Sequence, residues 1–236
     1  MLYKDMAKAQ RTMRESIATY ILKQVIYIFL VACTLFLIGG TSAWPEAWVY
    51  LGMMALITIA NSLATEPSLL AERSRLQEGT KRWDILLSSF TALWGPLIVL
   101  VIASLDKRLG WSAPLPTWVT VSALVLLLIG AGLGTWAMHT NRFFSATVRI
   151  QHDRNQQVID SGPYRFVRHP GYIGGIIGHL AVPCLLGSIV GLLASILVVA
   201  GIIFRTALED RLLHSELSGY ESYAQRVRYR LLPPIW

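Results

Sequence analysis

Residues 172–204 read "YIGGIIGHLAVPCLLGSIVGLLASILVVAGIIF", 33 positions without one acidic, Lys or Arg side chain. As a single helix rising about 1.5 Å per residue, the run would reach roughly 50 Å, well beyond a hydrocarbon core of roughly 30 Å. "LLGS" at 185–188, shortly after Pro183, offers a break. The spacing predicts a tight helical hairpin with arms over about 172–186 and 189–204. Each arm is short for a span, which fits a locally thin bilayer or arms lengthened by flanking polar turns.

Four more apolar runs precede the hairpin, over about 24–43, 47–64, 85–105 and 118–138, and Pro96 marks an expected kink in the third. The chain is 54% hydrophobic and 15% charged, where soluble domains run nearer about 25% charged. These features predict an all-α integral membrane protein with six transmembrane helices. It forms a single membrane domain over 1–236, with four spans in 1–138 and a linker, the hairpin and a tail in 139–236. The leader "MLYKDMAKAQRTMRESIATY" is long and polar, and the second span follows almost at once, so the first span is expected to be uncleaved.

Six spans divide the lysines and arginines sharply. The N-terminal segment carries five, the 65–84 loop four, the 139–171 segment five and the tail five, all on one side; the other side holds Lys107 and Arg108. That asymmetry predicts both termini in the cytoplasm. The same excess accounts for the net charge of +7, so nucleic acid is not needed as a partner and the lipid bilayer is.

Cys33 and Cys184 lie inside apolar runs and read as buried thiols rather than a disulfide framework. His139, His152, His179 and His214 lack metal-ligand spacing, so no metal site is expected, and His179, in mid-span, reads as a packed, hydrogen-bonded residue. "GAGLG" at 130–134 imitates a nucleotide-binding loop, but it sits within an apolar run. Gly130 and Gly134, like Gly174 and Gly178, instead form pairs that let helices pack closely in lipid. The charged loop "EPSLLAERSRLQEGTKRWD", 66–84, reads as solvated charge, with an interfacial helix closing the site as the alternative.

Two places ask for more. Arg205 and Glu209 lie four apart, on one helical face just past Phe204, with Asp210 next. The spacing allows either an interfacial salt bridge or charges that hold a zwitterionic ligand. "GPYRFVRHPGY", 162–172, places Arg165, Arg168 and His169 among two prolines and two glycines. Topology explains the arginines. Pro170 pushes His169 out of helical conformation, so its ring is expected on offer at the mouth of the fifth span.

The two motifs "VIDSGPYRFVRHPGYIGG" and "RTALEDRLLHSELSGYESYAQRVRYRLLPPIW", separated by the apolar hairpin, resemble the isoprenylcysteine carboxyl methyltransferase family of membrane methyltransferases over roughly 140–236. The resemblance implies S-adenosyl-L-methionine as methyl donor, held by the loop before the hairpin, the hairpin and the tail. By position it implies cofactor contacts from Gln151, Gln157, Val158, Ile159, Tyr164, His169, Pro170, Gly171, Tyr172 and Glu209, and a substrate contact from Arg205. Gln156 stands where the family often has His, and Asp210 replaces the second Glu of a usual Glu-Glu pair. It also implies a lipophilic methyl acceptor, with a prenylcysteine-type carboxylate favoured over an amine or thiol. The setting implied is a prokaryotic cytoplasmic membrane with the site on the cytoplasmic side.

The chemistry suits these residues. A carboxylate is ionised at neutral pH and a sulfonium carries its own leaving group, so no general base and no catalytic Ser/His or Cys/His set is expected. Two other readings fit less of the sequence. An NADPH-dependent membrane reductase of the sterol-reductase type has a related Arg-His-Pro motif, but with Asn where this chain has Gly171. A non-enzymatic helical component would bind no cofactor.

Overall fold

The helices begin and end where prolines and glycines punctuate the sequence. The structure is a computed structural model; it describes residues 2–236, with side chains from residue 13 onward. Helix α1 covers Leu2–Cys33 and continues through a π-turn over Thr34–Ile38. It stops at the Gly39–Gly40 pair, where Gly40 takes φ of 70°. The expected 24–43 span is corrected at both ends. The leader is rich in good helix formers and joins the helix, and the apolar span is Met13–Ile38. The side chains of Lys4, Lys8 and Arg11, three of the cations counted above, lie outside the described residues.

Helix α2, Pro45–Ala64, and the short α3, Pro67–Arg73, each start on a proline, where a missing N–H is no loss. Helix α4, Arg82–Ser89, runs through a π-turn at Phe90–Trp94 into α5, Gly95–Leu109. Pro96 has no N–H for the Ala92 carbonyl, and the disturbance expected there is taken up one turn upstream, in that π-turn. Helix α6 is Thr117–Thr140.

The hairpin consists of α7, Pro170–Leu185, and α8, Ile189–Glu216. Its turn uses Gly187 at φ 80°, and Ser188 Oγ accepts from Gly191 N at 2.8 Å to cap α8. The second arm does not end at Phe204. "RTALEDRLLHSE" continues the helix for three more turns, so Arg205 and Glu209 stand on the same rod as the apolar arm. A short helix α9, Tyr220–Arg226, follows.

Among the described residues, five helices are long and apolar enough to cross a membrane: Met13–Ile38, Pro45–Ala64, Arg82–Leu109, Thr117–Thr140 and Ile189–Glu216. The sixth, α7, has 16 residues, about 24 Å at about 1.5 Å each. It nonetheless connects the two ends of the bundle. Its start at His169 meets the C-terminal tail, while Ser188, just past its end, hydrogen-bonds Asp106 near the end of α5. Large side chains such as Phe29, Leu63 and Leu197 point outward and are exposed, as a lipid-facing belt requires.

Helices α6 and α7 pack at backbone distance. A Cβ built on Gly130 would lie 2.7 Å from the Gly174 carbonyl oxygen, and one on Gly174 would lie 2.5 Å from that of Gly130. "GAGLG" is thus a helix-packing surface, as its setting predicted. Cys33 and Cys184 are both free thiols.

Candidate active site

Asp210, wholly buried in α8, organises the end of the bundle where the tail returns. Its Oδ1 accepts from Arg168 Nε at 2.8 Å and Tyr220 Oη at 2.8 Å, and lies 3.2 Å from His169 Nε2. Its Oδ2 accepts from Arg168 Nη2 at 3.0 Å and Arg230 Nε at 2.7 Å. A buried carboxylate is tolerable only with such partners. Burial pushes the Tyr220 hydroxyl above its ordinary pKa of 10.0, and the Asp210 charge adds to that, so Tyr220 stays a donor.

The tail closes over the loop before α7. Arg168 N donates to Tyr229 O at 2.9 Å and His169 N to Arg230 O at 3.0 Å. Arg168 Nη1 adds bonds to the carbonyls of Val227 and Arg228. His169 lies outside helical conformation as expected (φ −128°, ψ 60°), and Pro170 opens α7 behind it. Its ring, however, is turned against Asp210 and is buried rather than freely offered.

A second buried acid holds the opposite wall. Asp84, in the first turn of α4, accepts from Arg205 Nε at 2.6 Å, Arg205 Nη2 at 3.0 Å and Val148 N at 2.6 Å. Arg205 also donates to Ala146 O at 3.0 Å, and its guanidinium lies 5.4 Å from the Tyr172 ring centroid. So Arg205 does not pair with Glu209, and the edge that would grip an acceptor carboxylate already holds Asp84. Glu209 instead bonds Tyr172 Oη through its Oε2. Glu72 of α3 is also buried, paired with Arg149 at 2.9 Å. The 66–84 loop is therefore corrected in part from solvated charge to a structural wall: Glu72 and Asp84 are buried and neutralised by Arg149 and Arg205, while Glu66 and Glu78 are exposed.

Between these walls lies a cavity of about 250 Å³, near the lower end of the roughly 300–1,000 Å³ of small-molecule sites. Of the eleven residues named from the sequence, ten line it: Gln151, Gln157, Val158, Ile159, Tyr164, His169, Gly171, Tyr172, Arg205 and Glu209. Pro170 does not, and its part is to set the start of α7. Gln151 reaches the wall with its amide committed to the loop: Nε2 donates to Phe143 O at 2.7 Å, and Oε1 accepts from Arg154 Nη1 at 2.7 Å. At Gly171 a Cβ would stand 2.6 Å from the Phe144 ring, so a larger residue there would have to push that ring aside.

The sequence reading missed Arg73, Arg168, Tyr220 and Tyr223 as lining residues and Asp84 as the partner of Arg205. The tyrosines carried a signal, as two aromatics in the polar stretch "SGYESY" directly after α8. Asp84 carried one too, as a lone acid leading into an apolar run.

A second cavity, of about 330 Å³, lies deeper among the helices and is bordered by Tyr27, Tyr50, Met54, Pro96, Leu127 and His179. Ala92, in the π-turn, borders both cavities. Among the described residues, no cluster of His, Cys, Asp and Glu suited to a metal ion is present.

Residues 123–215 match the isoprenylcysteine carboxyl methyltransferase (ICMT) family. The chain is 30% identical over 137 residues to the cobalt-zinc-cadmium resistance protein CzcN of Cupriavidus metallidurans, covering 57% of this chain and 59% of that protein. It is 29% identical over 113 residues to a probable protein-S-isoprenylcysteine O-methyltransferase of Oryza sativa subsp. indica, covering 47% and 59%. A third relative, the nickel-cobalt-cadmium resistance protein NccN of Alcaligenes xylosoxydans xylosoxydans, is 26% identical over 138 residues, covering 57% and 60%. The chain thus spans about three fifths of the length of the relatives it matches.

Proposed function

We propose that this chain, whose residues 123–215 carry the ICMT family match, is an integral membrane S-adenosyl-L-methionine-dependent methyltransferase. Its cofactor site is the cavity at the tail end of the bundle, and its acceptor is lipophilic. The observation that carries the reading is convergence. Ten residues named from a resemblance, drawn from the linker, the start of α7 and the far end of α8, line one cavity.

The lining fits the group. Glu209 is fixed through Oε2 by Tyr172, which leaves its other oxygen to receive an ammonium. Val158, Ile159, Leu213 and Leu217 offer apolar surface to a nucleoside, and the Tyr164 and Tyr172 rings offer faces to a sulfonium. When bound, S-adenosyl-L-methionine supplies a methyl group on a sulfonium, whose departure needs no protonation. What the protein adds is position and dryness: the Arg168–Asp210–Arg230 clasp keeps the tail over the site and water out.

The deeper cavity suits the acceptor, which would enter between helices from the bilayer, and Ala92 borders both this cavity and the cofactor site. A prenylcysteine-type carboxylate is the favoured acceptor. Its apolar chain would occupy this chamber, and its ionised carboxylate needs no base. The charge asymmetry favours the cytoplasmic side for the cofactor site.

Titrating the detergent-purified protein with S-adenosylhomocysteine and with NADPH tests the reading. Binding of the first and not the second is expected, with Glu209→Gln weakening it about tenfold, the loss of one charge-assisted bond. NADPH binding without S-adenosylhomocysteine binding would favour the reductase class instead.

A further inference from the structure

Four arginines reach the cofactor cavity: Arg73, Arg149, Arg168 and Arg205. Three are neutralised by acids, Arg149 by Glu72, Arg168 by Asp210 and Arg205 by Asp84. Arg73 is not. Among the described residues no acid pairs with it, and its buried Nε has no hydrogen-bond partner. Its Nη1 donates to Phe144 O at 3.1 Å, and its guanidinium stands 5.5 Å from the Phe144 ring centroid.

This cation is held in place. Helix α3 is anchored by buried Leu69 and Leu70, and Lys23 of α1 donates to Ser74 O at 2.6 Å just beyond it. The Phe144 ring beneath Arg73 rests against Gly171, so Arg73 sits one ring away from the "RHPGY" motif. Arg73 is half-buried, and its buried Nε without a partner is unfavourable, a cost that an anionic ligand beside the guanidinium would offset. Burial pushes the Arg73 pKa down, and the nearby Tyr20 hydroxyl offsets part of this.

With Nη1 committed to a carbonyl and the Tyr20 hydroxyl beside the group, Arg73 lines the cavity with no acid on its charge, and a carboxylate is an anion that a single guanidinium matches. A phosphate would call for further uncommitted cations, and the other three arginines are paired. We propose that Arg73 is the carboxylate receptor of this cavity, completed by an anionic group on a ligand. The inference rests on the methyltransferase reading above. The carboxylate has two possible sources, the amino-acid end of the cofactor or the acceptor. In either case Arg73 takes the part expected of Arg205, whose fork is committed to Asp84.

Two matched probe pairs separate the sources. S-adenosylhomocysteine and 5′-methylthioadenosine differ by the amino-acid end; N-acetyl-S-farnesylcysteine and its methyl ester differ by the free carboxylate. Binding of all four is measured by equilibrium titration to wild type, Arg73→Met and Arg73→Lys. Wild type is expected to prefer the acid member of one pair. Arg73→Met should reduce that preference about tenfold or more, and Arg73→Lys should restore part of it. Loss in the first pair assigns Arg73 to the cofactor, loss in the second to the acceptor. No preference for the acid member in either pair, or a preference that survives Arg73→Met, overturns the proposal. A wild type that prefers the farnesylated acid but binds no S-adenosylhomocysteine would sink the methyltransferase reading and leave the receptor standing. Thermal unfolding controls for folding: removing an unpaired cation should leave the empty protein at least as stable as wild type.

Discussion

The Asp84–Arg205 pair offers a demanding test, because it joins two helices that lie 121 positions apart in the chain. Asp84 has no solvent exposure, and its three hydrogen bonds come from Arg205 Nε, Arg205 Nη2 and Val148 N. Asp84→Ala leaves the guanidinium with only the Ala146 carbonyl, and Arg205→Met leaves the carboxylate with only the Val148 amide. Stranding one charge of a buried pair costs about 3–5 kcal/mol. Independent effects would make the double variant worse by about 6–10 kcal/mol, the sum of two such losses. The structure predicts otherwise: the second substitution removes the charge that the first one stranded. The double variant should be no less stable than the worse single variant, a coupling of about 3 kcal/mol or more. At about 2–4 °C per kcal/mol, each single change lowers Tm by about 6–20 °C, and the double change adds nothing to that. Tryptophan fluorescence during thermal unfolding in detergent reads all four proteins. Additivity within about 0.5 kcal/mol would show that the two side chains do not depend on each other and would refute the wall described here.

Three further outcomes follow from the geometry. Gly174→Ala should destabilise the protein by about 1–3 kcal/mol, because its methyl would collide with the Gly130 carbonyl; denaturant unfolding measures the loss. Deleting residues 228–236 removes Arg230 and the carbonyls that receive Arg168 and His169, so S-adenosylhomocysteine binding should be lost while helical circular dichroism is kept. Burial holds the hydroxyls of Tyr164, Tyr220 and Tyr223 above the ordinary 10.0. Below pH 10 their contribution to stability is intact; above it the unfolded chain loses phenolic protons first and stability falls, visible as tyrosinate absorbance that appears only on unfolding.

The apolar run at 172–204 decided the helical hairpin, because a charge-free stretch too long for one crossing has to turn where Gly187 permits. Motif residues such as His169 and Glu209 were legible because proline and charge at a membrane edge are costly without a use. What escaped was every long-range pairing. Nothing local to "KRWDIL" says that Asp84 meets an arginine on α8, and nothing in "AERS" says that Glu72 is neutralised while Arg73 beside it is not. Asp210 stood out in sequence only as a substitution of one acid for another, yet it gathers groups from the loop, α9 and the tail. Such hubs depend on which segments the bundle brings to the same end, and single-segment patterns do not carry that information.

The clasp on Asp210 also imposes an order on biogenesis. The ribosome delivers residue 230 after the membrane helices α1 to α8, so these can enter the bilayer before Arg230 exists to close the site. Until then Arg168 and His169 lack the backbone partners that the tail provides. A chain stalled between the end of α8 at Glu216 and residue 230 would hold the membrane helices described above and still lack the clasp.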